Sequence, residues 1–380
     1  MEKSMLSILV GLWMIIRSVA AVKQPYVPAI FVFGDSIADA GNNNYIPQSK
    51  LRANFTPYGV SFFPHPTGRF TNGRTAFDFI RILEVYDALI LVAANYLGLP
   101  FPPPFLKPKA NFTRGINFAS GGSGLFDSTG AESNIISLSN QVKLFEEFSS
   151  NLTRTNSFGP AQAKSYLGKS LYCIAIQGND IAYYTANTTL QNTTTLEQFV
   201  KLMLAKFDQY VRRLYHSGAR KFLVLDIPAV GCTPYSRFAG YNEDKGECVD
   251  LPSQLVIEYN NNFKNLVAQL NQNLDGATII QLNTYNYVMD MFEKAKAYGF
   301  KDFTTACCGS GMFHAQVSCG KTKPQPVFCN DINAHLYWDG THPTEKVYSM
   351  FSRQIWSGNS SYIYPFNLST LVLGKNSSGH

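Results

Sequence analysis

A serine directly behind an apolar stretch, in Phe33-Gly34-Asp35-Ser36, is well placed for nucleophilic chemistry. If the stretch is a strand, the turn after it exposes the hydroxyl and opens the Ser36 N–H toward a ligand. A hydroxyl is a weak nucleophile until a base takes its proton, and that base needs an orienting carboxylate. Asp339-Gly340-Thr341-His342 offers both. Residues three apart meet within one turn, so Asp339 can accept from one imidazole nitrogen while the other faces Ser36. The bland reading makes Asp339 a helix cap before Pro343 and His342 a surface residue.

Two further segments weigh against the bland reading. Gly178-Asn179-Asp180 ends one apolar run and Ala119-Ser120-Gly121-Gly122-Ser123-Gly124 follows another. A tetrahedral intermediate needs donors already in place, and the N–H groups of Ser36 and Gly121 with the Asn179 amide are the expected set. Each segment is also an ordinary turn former. The glycine-rich one lacks the Lys-Ser/Thr ending of a P-loop and the G-x-G-x-x-G spacing of a dinucleotide site. Gly34 to Ala38 approaches the G-x-S-x-G elbow, but it lies on the first strand, and its acid and histidine are adjacent in sequence rather than on separate loops.

The elements that must position these residues alternate along the chain. Short apolar runs suggest strands at Ala29 to Phe33, Gly115 to Phe118, Leu171 to Ile176, Lys221 to Leu225 and Thr278 to Leu282. Helical patterns lie near 72–97, 137–150, 195–217, 253–274, 285–298 and 344–357. This alternation predicts a parallel sheet covered on both faces. Reactive groups then gather beyond the carboxyl ends of the strands, where all the motifs fall. No repeat and no linker divides the chain, so residues 22–380 read as one domain.

The composition is that of a globular chain: 380 residues, 45% hydrophobic and 15% charged. Its net charge of +6 is dispersed rather than gathered in basic blocks, giving no support for nucleic acid or an anionic membrane as partner. Residues 1–21 read as a signal peptide, with Lys3 ahead of an apolar run from Leu6 to Ile16 and small residues after it. That run is shorter than the roughly 20 residues of a membrane span, so no integral anchor is expected.

Export agrees with sequons at Asn54, Asn111, Asn151, Asn187, Asn192, Asn359, Asn367 and Asn376. It also agrees with six late cysteines, Cys232, Cys248, Cys307, Cys308, Cys319 and Cys329, that read as disulfide staples of open pairing. They lack the repeated C-x-x-C spacing of structural zinc, and no metal is expected. Cys173 sits in an apolar run and reads as a small buried hydrophobe.

The blocks Phe33 to Ser36 with Asp39 and Gly41-Asn42, Asn117 to Gly121, Gly178 to Asp180, and Asp339 to Pro343 resemble, in order and spacing, the GDSL esterase/lipase family of SGNH hydrolases. Gly68 to Arg74, Asp226-Ile227-Pro228 with Gly231 to Pro234, and Ala306 to Gly309 resemble its plant branch. The resemblance covers roughly residues 28 to 357. It implies Ser36 as nucleophile, His342 as base, Asp339 as its partner, and Ser36, Gly121 and Asn179 as the oxyanion hole. It further implies a flavodoxin-like three-layer α/β/α sandwich with a five-stranded parallel sheet, and no cofactor.

The expected function is a secreted serine carboxylic-ester hydrolase acting on a small or polymeric ester. Transacylation to an alcohol and non-catalytic binding are the alternatives. One departure from the family pattern is about a dozen residues near Arg81 to Ala93. They read as a longer helix or an apolar flap, or else as retained intron sequence.

Overall fold

The computed structural model describes residues 26–80, 100–154, 159–176, 178–240, 247–321 and 327–374. The expected signal segment and the extra residues near Arg81 to Ala93 lie outside them, as does most of the helix expected over 72–97, whose described part is Ala76–Ile80.

Among the described residues, eight strands follow in chain order: β1 (Ile30–Gly34), β2 (Gly115–Asn117), β3 (Leu171–Ala175), β4 (Lys221–Leu225), β5 (Thr278–Leu282), β6 (Asp302–Ala306), β7 (His335–Tyr337) and β8 (Ile363–Tyr364). The central sheet has the order β2-β1-β3-β4-β5-β8. Its first five strands are parallel, and each begins and ends within one residue of the apolar run that predicted it. The expected five-stranded parallel sheet gains a sixth, antiparallel edge strand, β8 against β5. Two residues are too few for an alternation pattern to register.

Every residue of β1 and β3 is buried, as parallel strands covered on both faces require. Alternate side chains serve opposite cores. Phe31, Phe33, Tyr172, Ile174, Phe222 and Val224 enter one cluster, packed by the helices Leu138–Arg154, Leu196–His216 and Asp250–Asn273. Ile30, Val32, Leu171, Cys173, Leu223 and Leu225 enter the other, packed by Thr284–Glu293 and Glu345–Ser357. The layers are therefore α/β/α. Cys173 is a buried free thiol, as its neighbours implied, and burial pushes its pKa up.

Local signals set the helix ends. Leu196–His216 opens on a capping box in which the Thr195 hydroxyl accepts the Gln198 N–H and the Gln198 side chain accepts the Thr195 N–H. The helix expected over 285–298 stops at Glu293. The chain then turns through Gly299, at φ +73°, into β6. β6 pairs with β7 in a small second sheet that the sequence reading did not anticipate. The disulfides are Cys232–Cys248, Cys307–Cys329 and Cys308–Cys319.

Candidate active site

The carboxyl ends of β1, β3 and β4 open on one cavity of about 310 Å³ whose walls include Ser36, Gly122, Asn179, Asp226, Thr341 and His342. Ser36 stands two residues past β1. It occupies a tight turn closed by Ala38 N–H and Asp39 N–H donating to Asp35 O. Gly34 makes this approach feasible. Its φ is +147°, and a Cβ there would sit 1.9 Å from Ala175 O on β3, which no side chain tolerates.

Across the cavity, Asp339 and His342 follow β7 on one loop. His342 Nδ1 lies 2.8 Å from both Asp339 carboxylate oxygens, and His342 Nε2 lies 2.8 Å from Ser36 Oγ. The 3-residue spacing works as a closed turn: Asp339 Oδ1 also accepts the backbone N–H groups of Thr341 at 2.9 Å and His342 at 2.8 Å. Oδ2 accepts the Tyr58 hydroxyl at 2.8 Å. Burial raises the Asp339 pKa, but the nearby His342 and these hydrogen bonds outweigh it and hold the carboxyl below its usual range. Asp339 is thus an ionised, oriented acceptor for the imidazole.

The Gly68 to Arg74 block clasps the loop from outside. Arg69 forms a buried bidentate pair with Asp78, at 2.7 and 2.8 Å, that pins the block. Thr71 donates to Pro343 O, and Asn72 accepts the Glu345 N–H at 2.8 Å. This sets the Phe70 ring 5.2 Å from the His342 ring. This tilted ring contact, with 35° between the planes, limits the rotation of the imidazole.

The oxyanion donors expected from sequence occupy different situations. The Ser36 N–H has no hydrogen-bond partner among the described residues, and Asn179 faces the cavity with its amide steadied by Ser123 O at 2.9 Å. Gly121 does not offer its N–H to the cavity: it donates to Asp39 Oδ2 at 3.0 Å. Asp39 Oδ1 meanwhile accepts the Gly41 and Asn42 N–H groups, so this carboxylate ties the two loops together. Burial raises Asp39 to about 6. Gly121 has a steric duty instead, since a Cβ there would meet the Phe70 ring at 2.6 Å. Gly122 is the residue of this loop that lines the cavity, and its N–H is unpartnered among the described residues.

Sequence reasoning did not single out Tyr58, the contact of Phe70 with His342 or the Gln141 amide, which exchanges two 2.9 Å hydrogen bonds with Gly34. Tyr58 meets Asp339 across 281 residues, and no local pattern encodes such a contact. The only cluster of metal-binding residue types among the described residues, Cys307, Cys329 and His335, includes two cysteines joined to each other as a disulfide. Those sulfurs are therefore not thiolate ligands.

Chemically, the arrangement offers an imidazole that can take a serine proton, with the Ser36 N–H, unpartnered among the described residues, beside the hydroxyl. Residues 30–355 match the GDSL-like Lipase/Acylhydrolase family. Among curated proteins, a GDSL esterase/lipase of Arabidopsis thaliana is 34% identical over 367 residues, 93% of this chain and 92% of that protein. GDSL esterase/lipase 6 of the same plant is 34% identical over 98% of this chain and 99% of its own. A GDSL lipase of Tanacetum cinerariifolium is 31% identical over 91% and 88%. The chain therefore belongs to the GDSL esterase/lipase family and is a carboxylic ester hydrolase.

Proposed function

We propose that the ester is cleaved through an acyl-enzyme on Ser36. His342 Nε2 takes the Ser36 proton as Oγ bonds to the ester carbonyl carbon, and the Asp339 carboxylate stabilises the imidazolium. The Ser36 N–H and the Asn179 amide receive the oxyanion. We assign the third donor to Gly122, because the expected Gly121 N–H is held by Asp39. Collapse expels the alcohol, which takes the proton from His342. Water, deprotonated by the same imidazole, then releases the acid and restores Ser36. The observation that carries this reading is the continuous Asp339–His342–Ser36 relay, with 2.8 Å at each step.

The test is a panel of short- and long-chain p-nitrophenyl esters on the wild type and Ser36→Ala. Loss of at least about 10³-fold in kcat is expected for the variant. Equal hydrolysis by both removes Ser36 from the mechanism.

We further propose that this single catalytic domain is exported behind a cleaved leader and glycosylated. Three disulfides and exposed sequon asparagines at 54, 111, 192 and 359 support an oxidising, glycan-adding route. Among the described residues, no helix is long and apolar enough to cross a membrane. Expression in a eukaryotic host should give extracellular protein whose mobility increases on endoglycosidase treatment. Retention in the cell without a mobility change overturns this.

A further inference from the structure

The cavity beside Ser36 is lined by both exposed and buried side chains. Tyr235, 53% exposed, and the exposed Thr341 line it beside the His342 loop, the Tyr235 N–H donating to Gly340 O. Leu225, Asp226 and Thr284, all buried, line it at the ends of β4 and β5, two and three strands from β1. The leaving alcohol must reach His342 to be protonated, so it belongs to the side of Tyr235 and Thr341. The side lined by Asp226 then falls to the acyl chain, which stays bonded to Ser36 between the two half-reactions.

Sheet register sets the length of this path. Gly34 pairs with Ala175, and Ile174 with Val224, so Asp35 and Asp226 are each the first residue beyond β1 and β4 at about the same level. One strand, β3, lies between them. Two inter-strand spacings separate the Ser36 turn from Asp226 by about 10 Å.

An unsubstituted acyl chain would suit walls such as Ile176, Ala182, Leu225 and Val288, but not the end of the path. There Asp226 Oδ1 accepts the Thr284 N–H at 2.6 Å, the Tyr285 N–H at 3.3 Å and the Thr284 hydroxyl, capping the helix Thr284–Glu293. Among the described residues, Asp226 Oδ2 has only the Gln281 amide at 3.5 Å, the outer limit of a hydrogen bond. Gln281 Oε1, buried beside it, has no partner among the described residues. A buried acceptor left half-satisfied at the end of an apolar channel costs stability unless something donates to it.

We propose that this cavity selects acyl chains carrying a hydroxyl about 10 Å from the ester carbonyl, with that hydroxyl donating to Asp226 Oδ2. The inference rests on the Ser36 acyl-enzyme reading. Burial raises the Asp226 carboxyl to about 7, so near neutrality either of its forms finds a complementary role in a hydroxyl, which both donates and accepts. A site with such a polar group discriminates against the analogue lacking the hydroxyl, because the buried acceptor is then left unpaired.

The experiment uses the full-length enzyme and matched p-nitrophenyl esters of graded chain length, each unsubstituted or hydroxylated at successive carbons. The wild type should favour one hydroxyl position by at least about tenfold in kcat/KM over the unsubstituted chain, with the preference fading on either side. Asp226→Ala should bring the ratio between the two esters toward one. No preferred position in the wild type overturns the inference, and so does a preference that survives in a folded Asp226→Ala. If that variant fails to fold, the wild-type position scan still decides. Ser36→Ala separates the two levels: equal rates on both esters that still require Ser36 sink only the hydroxyl site, whereas hydrolysis independent of Ser36 sinks the acyl-enzyme reading.

Discussion

The Tyr58 hydroxyl donates to Asp339 Oδ2 at 2.8 Å, on the oxygen not used by the backbone N–H groups of Thr341 and His342. Tyr58 is buried in a cluster with Phe70, Trp338 and two disulfides, so the hydroxyl is aimed by packing. It both fixes the carboxylate and spreads its charge.

Tyr58→Phe keeps the ring and removes that donor. The carboxylate left behind is more basic and pulls harder on the imidazolium, so the acid limb of the kcat/KM profile should move to higher pH. A hydrogen bond to a charged group contributes about 1.5–3 kcal/mol, and kcat/KM at neutral pH should fall about tenfold or more. A pH–rate profile checks this. An unmoved limb reduces Tyr58 to packing.

Phe70→Ala removes the ring against which His342 packs, at 5.2 Å between centroids. Small misplacements of a catalytic group cost up to about 10²-fold. The loss should appear in kcat rather than KM, since the imidazole acts on the bond being made. A change confined to KM would assign Phe70 to substrate binding instead.

Four buried carboxyls shift upward through burial: Asp35 and Asp226 to about 7, Asp39 and Asp180 to about 6. A raised folded-state pKa means that the native protein binds protons the unfolded chain does not. Their contribution to stability therefore grows as pH falls from above 7 toward the ordinary carboxylate value. Asp339 and Asp78 are shifted downward, with burial outweighed by His342 and Arg69 respectively, and their contribution is lost below that value. The thermal midpoint should be higher near about pH 5 than near pH 8. Asp226→Asn should flatten part of the slope. Calorimetry across this range checks both.

Cys307 N–H and Cys308 N–H donate to Tyr337 O and Trp338 O, immediately before Asp339. The disulfides Cys307–Cys329 and Cys308–Cys319 thus anchor the segment that carries Asp339 and His342. Replacing Cys308 and Cys319 together by serine should lower stability by about 2–4 kcal/mol. Esterase activity should be lost at lower urea concentration than in the wild type. Coincident activity and fluorescence transitions at the wild-type midpoint would show that this staple is dispensable.

Much of the site was legible in the residues themselves. Ser36 follows a fully apolar strand, and Asp339 and His342 lie close enough in sequence for one turn to join them, so local geometry settles both arrangements. The five parallel strands were readable for the same reason, because burial on both faces leaves an unbroken apolar run. Gly121 shows where local reading stops. A glycine after a strand promises a free N–H, yet here Asp39, 82 residues earlier, takes it.

By itself, the sequence determined which groups are proposed to carry the chemistry and which strands deliver them, since a candidate nucleophile, a candidate base and apolar periodicity are properties of short segments. Tertiary structure alone decided what surrounds those groups. That Tyr58 holds Asp339, that Phe70 packs on His342, and that Asp226 lines the same cavity as Ser36 are relations between distant segments, set by sheet order and long-range packing. Packing specifies them, and packing is a property of the whole chain at once.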